Sequence, residues 1–237
     1  MISRLRLFPL NTVLFPGATL NLHVFEPRYK QMIAECLSER QEFGVCLIRE
    51  GKEAGDPQVD PHAIGTTAEI GDVTPLPFGR YYISTVGRRR FKIHGIVQRE
   101  PYLLCDVEFL DDDISPQSTL DSLIERVRAE FNEYLRLLMA YSGTAVAFDL
   151  PPDPVEASFA VGSALQIADA LKQRLLETDD TEGRLRVELE FLRRLLPKLR
   201  SLLERKESAP PELESEPLGG ESRAEQEHLF GKFFSLN

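Results

Sequence analysis

The sequence predicts an α+β fold in which a small twisted β sheet or barrel is followed by a bundle of helices. Residues 5–110 contain short runs of β-branched and aromatic residues separated by Gly and Pro, which is typical of several short strands. From residue 118 onward, apolar residues recur every three or four positions, the period of an amphipathic helix. This change predicts two structural parts, residues 1–113 and residues 118–206, with one early helix in the first part.

The first part begins with a segment, residues 5–29, that combines two Phe-Pro pairs with a strand and the start of a helix. Each proline keeps the preceding residue, Phe8 or Phe15, out of the helical region. Residues 19–25 alternate apolar and polar side chains, which predicts a half-buried strand. Pro27 is tolerated in the first turn of a helix, so the early helix is expected to begin there.

Further strands are predicted where β-branched and aromatic residues cluster, at residues 43–48, 66–73, 80–86, 88–94 and 102–110. Gly87 separates two of these runs and is expected to break the strand. A turn is predicted at residues 75–79, where Gly79 is free to adopt a positive φ.

The second part contains four predicted helices. Residues 120–138 form the first, and Gly143 ends it. Asp153 is expected to cap the second helix, and residues 169–177 form a short third one. The last helix carries a stripe of leucines, with Pro197 expected to kink it. Because the proline interrupts a short stripe, these leucines indicate the core of a bundle rather than an intermolecular zipper: Leu185, Leu189, Leu192, Leu196, Leu199 and Leu203.

Charge and cysteine content restrict the class of protein. The formal net charge is −10 at pH 7, which disfavours a protein dedicated to nucleic acid. Residues 204–227 hold eight acids and three bases, so half of the excess charge lies in this segment. The three cysteines lack C-x-x-C spacing, which is typical of a reducing compartment and predicts small buried residues. With no recognisable signal peptide or membrane-spanning run, a cytoplasmic location is expected.

The C-terminal residues divide into two kinds of sequence. Residues 207–227 are charged and contain several Pro and Gly, which predicts a disordered acidic linker. Residues 228–237 contain an apolar motif with Leu229, Phe230, Phe233 and Phe234. Exposed phenylalanines are a liability in solvent, so the motif is expected either to dock on this chain or to bind a partner. A frayed terminus without a role is the alternative.

Motifs for catalysis or metal binding are absent from the sequence. There is no phosphate-binding loop and no nucleophile elbow, and no two histidines have a metal-ligand spacing. The run Asp111–Asp113 is expected to be solvated rather than an acid/base pair. The sequence therefore predicts no enzymatic activity, no cofactor and no metal site.

Two groups of residues are candidates for binding. In a regular strand Arg88, Arg90 and Lys92 would share one face, where they could contact phosphates or pair with nearby acids such as Glu69. The second group consists of apolar residues in turns: Phe15, Pro16, Leu76, Pro77 and Phe78. These residues either form an exposed patch for unfolded or extended peptide or cap the ends of the barrel core.

A resemblance to the amino-terminal domain of Lon proteases is carried by runs that occur in the same order and at similar spacing. They are LFPLNTVLFPGATLNLHVFEPRY, FGVCLIREG, IGTTAEIGDV, GRYYISTVGRRRFKI and PYLLCDVEFLDDD, followed by LPPDPVEASFAVGSALQIADALKQRLLETDDTEGRL. The resemblance covers about residues 5–199. It implies a PUA-like pseudo-barrel followed by a helical bundle, and a role in recognising protein substrates or partners.

In Lon proteases this domain precedes an ATPase module and a serine-lysine peptidase module, and neither has a counterpart in these 237 residues. The resemblance therefore implies a non-catalytic module that binds unfolded or extended polypeptide, or a protease or chaperone partner. RNA binding through residues 88–92 is the alternative. The leucine stripe permits a dimer but does not require one.

Overall fold

The computed structural model describes residues 2–53, 55–56, 58–112, 117–144 and 148–208. In these ranges the chain forms seven strands and five α-helices, with a short 3₁₀ turn at Pro77–Gly79. In chain order they are β1 (Ile2–Leu10), β2 (Thr19–Val24), α1 (Pro27–Glu39), β3 (Phe43–Glu50), β4 (Asp60–Pro61), β5 (Ile64–Leu76), β6 (Arg80–Gln98), β7 (Leu103–Phe109), α2 (Gln117–Ser142), α3 (Pro154–Ala164), α4 (Asp169–Glu177) and α5 (Thr181–Ser208).

The sheet is mostly antiparallel, and its pairings close into a ring. β1 pairs antiparallel with β7 on one side and parallel with β3 on the other. Because the order β1-β7-β6-β5-β3 thereby returns to β1, the first strand joins the two ends of the sheet. β2 lies off this ring and pairs with the first half of β6. The α+β class predicted from the sequence is confirmed, with the strands preceding the bundle of helices.

Gly87 does not end a strand, so the predicted break in β6 is wrong. The strand runs through this position, and the pairs Ala68–Gly87 and Thr66–Arg90 show that one extra residue is inserted on β6 there. A Cβ atom at Gly87 would lie 2.2 Å from the backbone oxygen of Phe15. Glycine is therefore needed for the close approach of the β1–β2 connection to a bulge in a continuous strand.

The ends of the helices follow the local signals. Gly143 adopts a φ of +73° directly after α2, and its N–H donates to the carbonyl of Met139 at 2.8 Å. The Asp153 carboxylate accepts from the backbone N–H groups of Val155 and Glu156 at the start of α3. α4 has the predicted bounds, and α5 continues through Pro197.

The helical core confirms the bundle interpretation of the leucine stripe. Leu185, Leu189, Leu192 and Leu196 are buried within this chain, and Leu199 and Leu203 pack against the same cluster. The cluster includes residues of α2 to α5 and also Phe15 from the β1–β2 connection. Two further clusters lie in the first part, one beneath α1 and one lined by β1, β3, β6 and β7. Phe15 thus joins the sheet to the core of the bundle.

Within the described residues, no helix combines the length and the apolar character that a membrane span requires.

Candidate protein-binding surface

Three aromatic residues are unusually exposed at the end of the sheet where β2 meets α1. The side chains of Phe25 and Tyr82 are 52% and 53% exposed. His23 lies opposite Tyr82 in the β2–β6 ladder, and its ring centroid is 4.9 Å from that of Tyr82 and 5.5 Å from that of Phe25. Aromatic rings that stack with each other instead of entering the core form an apolar surface in contact with water.

The tip of the β5–β6 hairpin adds a further ring at this end of the molecule. Phe78 is 88% exposed and has a φ of +65°, a conformation that bulky L-residues adopt only at a cost. The ammonium of Lys30, near the start of α1, donates to the Phe78 carbonyl at 3.2 Å. The hairpin tip is therefore held beside the helix that follows Phe25. We call His23, Phe25, Phe78 and Tyr82 the aromatic surface.

The sequence identified only part of this surface. Phe78 and the exposed Pro77 were predicted from their turn, and Leu76 beside them is half-buried. His23, Phe25 and Tyr82 were missed, although their positions carry a signal. In an amphipathic strand the polar positions face solvent, and aromatic residues at such positions indicate a binding face.

Phe15 is not part of a binding surface, and its prediction as an exposed residue is corrected. Its side chain is fully buried, with the ring centroid 6.4 Å from that of Phe159 in α3. A Cβ atom at Gly162 would lie 3.0 Å from the Phe15 ring, so this glycine makes room for it. The alternative that apolar turn residues cap the core holds for Phe15. Pro16, the next residue, is half-buried and lines a cleft between sheet and helices.

The basic run of β6 does not form one exposed face. Arg88 and Lys92 are exposed, and Arg88 forms an ion pair with Glu69, one of the acids expected as partners. Arg90 is only 1% exposed, so it is unavailable to a phosphate. The bulge after Gly87 changes the alternation of side chains along the strand, and Arg90 and Phe91 are consecutively buried. The assumption that Arg88, Arg90 and Lys92 share one face is therefore wrong.

Arg90 belongs to a buried charged cluster that joins the sheet to the helices. Asp112 accepts from both Arg90 and Arg184 through one carboxylate oxygen, at 3.1 and 2.9 Å. Arg90 also donates to the carbonyls of Leu176 and Thr178 at the C-terminal end of α4. Asp112 is 13% exposed, which corrects the expectation of a solvated acidic run at this position. Removing one partner from such a cluster leaves a buried charge uncompensated.

Glu188 lies one helical turn after Arg184 and is fully buried. Burial raises the pKa of its carboxyl group well above the ordinary value, and the nearby Arg184 only partly opposes this. Burial likewise lowers the pKa of Arg184, while Asp112 acts in the opposite direction. Within the part of the chain that the structure describes, neither Glu188 carboxyl oxygen has a hydrogen-bond partner. Burial therefore favours the neutral form of Glu188 in the folded core.

A large cleft separates the sheet from the helices, and we call it the sheet–helix cleft. Its volume is about 1280 Å³. It is lined by the β1–β2 connection, the middle of β6, the second half of α2, and the segment from α3 to the start of α4. Apolar lining residues include Leu135, Leu138 and Met139 of α2 and Val155 and Ala160 of α3. This cleft is a concave surface, and it is distinct from the aromatic surface.

The cysteines are buried away from solvent, and the metal-ligating residue types are scattered in the described ranges. Cys36, Cys46 and Cys105 are free and buried, as predicted. Burial raises the pKa of the Cys36 and Cys105 thiols to about 11, and it raises that of Cys46 further. They are therefore protonated and unreactive at neutral pH. Across residues 2–53, 55–56, 58–112, 117–144 and 148–208, no group of His, Cys, Asp and Glu could hold a metal ion. The tail candidates Leu229, Phe230, Phe233 and Phe234 lie outside these ranges.

The fold corresponds to a known class of substrate-binding domain. Residues 4–194 match the family described as the ATP-dependent protease La (LON) substrate-binding domain. This match covers most of the chain, and the chain therefore belongs to that family.

Individual relatives agree with this assignment. The chain is 25% identical over 186 residues to the Lon protease of Anaeromyxobacter dehalogenans (strain 2CP-C), and 28% identical over 188 residues to Lon protease 2 of Myxococcus xanthus. Each alignment covers 78% of this chain and 22% of the relative. The chain thus spans less than a quarter of the length of these proteases.

Two solved structures share the fold. The Lon N-terminal domain protein from Xanthomonas campestris superposes with a TM-score of 0.58 at 28% identity, over 79% of this chain and 98% of that one. The N-terminal domain of the Mycobacterium avium complex Lon protease has a TM-score of 0.57 at 18% identity, over 80% and 98% of the two chains. At this lower identity, the second comparison supports the fold alone.

Proposed function

We propose that this chain binds unfolded or extended polypeptide through the aromatic surface, without catalysis of its own. The observation that carries the proposal is Phe78, an apolar ring that is 88% exposed at the tip of a conformationally strained turn. Strain of this kind persists where the surrounding structure maintains it, and it is concentrated at functional sites. The membership in a family of substrate-binding domains agrees with this role.

The position of the surface also suits an extended ligand. Among the strands that the structure describes, β2 pairs with β6 alone, so β2 is an edge strand. An extended polypeptide can add backbone hydrogen bonds along such an edge while its apolar side chains pack against neighbouring rings. His23 and Phe25 lie at the end of this strand, beside Tyr82 of the adjacent strand.

The test is a titration of the full chain with a fluorescently labelled, unfolded model substrate such as reduced casein. We expect the double variant Phe78→Ser and Tyr82→Ser to bind at least about tenfold more weakly, because aromatic anchors dominate binding surfaces. The matched control is Val187→Ser with Leu202→Ser. Both control residues are 41% exposed and lie on α5, away from the aromatic surface.

Equal binding by the aromatic double variant and the wild type would refute the proposed surface. Circular dichroism should show the same fold for both variants, since all four substituted side chains are largely exposed. No binding of casein by the wild-type chain would refute the role itself.

Two finer assignments complete the proposal. We interpret the closed ring of strand pairings as the PUA-like pseudo-barrel that the resemblance implies. We also assign the chain to the cytoplasm, because three free cysteines fit a reducing compartment. Partners of this chain are then unfolded substrates, or a protease or chaperone that shares them.

RNA binding through β6 is the less favoured alternative. Arg88 and Lys92 are accessible, but the first is paired with Glu69 and the buried Arg90 cannot contribute. If RNA were the ligand, affinity would fall steeply with added salt, and Arg88→Ala would reduce that dependence. A single-stranded RNA probe at low salt, used beside casein in the same titration, separates the two functions.

A further inference from the structure

We propose that the apolar motif at residues 229–236 of this chain docks in cis into the sheet–helix cleft. The cleft, at about 1280 Å³, is larger than the roughly 300–1,000 Å³ of pockets that hold small molecules. Its helical walls present Leu135, Leu138 and Met139 from α2 and Val155 from α3. Charged residues, including Arg88, Arg89 and Asp149, also line the cleft. Its size and its apolar helical walls suit a peptide segment with apolar side chains rather than a small ligand.

The last described helix ends beside the cleft. Near the end of α5, the Lys206 ammonium donates to the carbonyl of Tyr141 at 2.6 Å and lies 5.4 Å from the centroid of its ring. Tyr141 is the neighbour of Ser142, and both Ser142 and Met139 line the cleft. α5 therefore ends close to one edge of the cleft, and the following residues begin there.

The length of chain beyond α5 is sufficient for docking. Twenty residues, 209–228, separate α5 from the motif. A flexible chain of this length has an average span of about 25 Å. The α2 wall from Leu135 to Ser142 rises only about 11 Å, at about 1.5 Å per residue. A short tether of this kind gives the motif a millimolar effective concentration at the cleft.

The spacing of the motif fits a groove between helices. Leu229 and Phe233 are four residues apart, as are Phe230 and Phe234, and Leu236 follows Leu229 by seven. Apolar residues at these intervals share one face of a helix, which is the pattern recognised by helix-lined grooves. The cleft is thereby assigned an occupant different from the ligand of the aromatic surface.

The test is disulfide trapping in the full chain, with Ser142→Cys on the cleft and Ser235→Cys in the motif. The native cysteines are buried and do not compete. We expect Phe233→Ser with Phe234→Ser to slow intramolecular disulfide formation at least fivefold, because the tether alone does not depend on these rings. Leu218→Ser, in the linker, is the matched control and should leave the rate unchanged.

A second pair, Ser38→Cys with Ser235→Cys, measures tether encounters away from the cleft. The two helix positions are matched, since the hydroxyls of Ser38 and Ser142 each donate to the carbonyl three residues earlier. The rate of this pair should not respond to the Phe substitutions. Hydrogen exchange is measured on the chain with only its native cysteines. Residues 135–142 should exchange more slowly in this chain than in the same chain carrying Phe233→Ser and Phe234→Ser.

Equal trapping rates and equal exchange with and without the two phenylalanines would overturn the proposal. Disulfides that form between chains and increase with protein concentration would also overturn it, and would assign the cleft to a second copy. Neither measurement contains a polypeptide ligand. A negative result would therefore refute the docking of the motif without bearing on the proposed binding of polypeptide.

Discussion

Two Phe residues beside prolines in turns have opposite positions in this molecule. Phe15, which precedes Pro16, is fully buried in the core of the helical bundle. Phe78, which follows Pro77, is 88% exposed. Both lie in apolar turns, so their difference in exposure comes from the residues that the rest of the fold packs around each ring. Residue type in a turn therefore does not decide between a packing role and a binding role.

The surroundings of Phe15 are built to receive it. Gly87 of β6 allows the backbone of Phe15 to approach, and Gly162 of α3 leaves space for its ring. The ring of Phe78, by contrast, is 88% exposed, with the Arg80 guanidinium 5.9 Å from its centroid. The comparison shows that small residues far away in sequence determine the position of an aromatic side chain near the N-terminus.

The largest expected effect is the difference in stability between the two Phe→Ala variants. Phe15→Ala should lower the free energy of unfolding by about 3–5 kcal/mol, because it removes a buried ring and leaves a cavity. Phe78→Ala should change it by less than about 0.5 kcal/mol, since the exposed ring contributes little to packing. Urea unfolding followed by circular dichroism measures both, and similar losses would contradict the comparison.

A smaller loss is expected when the space beside Phe15 is filled. Gly87→Ala should cost about 1–3 kcal/mol, because its Cβ atom would meet the Phe15 backbone and neither β6 nor the β1–β2 connection can easily move. Gly95→Ala, in the same strand, is the control, since a Cβ atom there has no neighbour within 4 Å. Thermal unfolding of the two variants gives the test. If Gly95→Ala lost as much stability as Gly87→Ala, the close approach would not be the cause.

The third effect depends on pH and is small near pH 5; it concerns Glu188, whose Oε1 lies 3.4 Å from the Cβ position of Gly162 beside the Phe15 ring. The pKa of Glu188 is raised in the folded state, so folding favours its protonated form. Its contribution to stability is complete below the unfolded pKa, near 4.5, and is lost as pH rises through the folded pKa. In the variant Glu188→Gln the side chain cannot ionise, so this loss of stability with rising pH does not occur.

The free energy of unfolding of the wild type should fall relative to Glu188→Gln by up to about 1.4 kcal/mol per pH unit above pH 4.5. Urea unfolding at pH 5, 6, 7 and 8 measures the difference. Parallel curves for the two proteins would mean that Glu188 titrates normally in the folded state.

Local signals in the sequence were sufficient for many elements of the fold. Asp153 and Gly143 were identified as helix ends because capping depends on neighbouring residues alone. Gly87 was misinterpreted because its role depends on Phe15, which is 72 residues away in the sequence. Arg90 was misplaced for the same reason, since its carbonyl acceptors lie 86 and 88 residues further along the chain.

The residues of the candidate site also differ in how far the sequence alone predicts them. Phe78 could be predicted because a turn residue is recognised from its neighbours. Tyr82 and His23 occupy solvent-facing strand positions that the alternation indicates, but their stacking depends on the pairing of β2 with β6, which the sequence does not give. Features that depend on neighbouring residues could therefore be predicted from the sequence, whereas contacts between residues that are distant in sequence required the structure.

The strand that closes the ring has a consequence for the newly made chain. β1 is synthesised first, yet Leu7 pairs with Leu103, which emerges 96 residues later. At translation rates of about 5–20 residues per second, β1 waits roughly 5–20 s for this partner. During that interval the apolar residues Phe8 and Leu10 belong to an incomplete sheet. A member of a family of substrate-binding domains thus itself passes, during its own synthesis, through a state in which one edge of its first strand is unpaired.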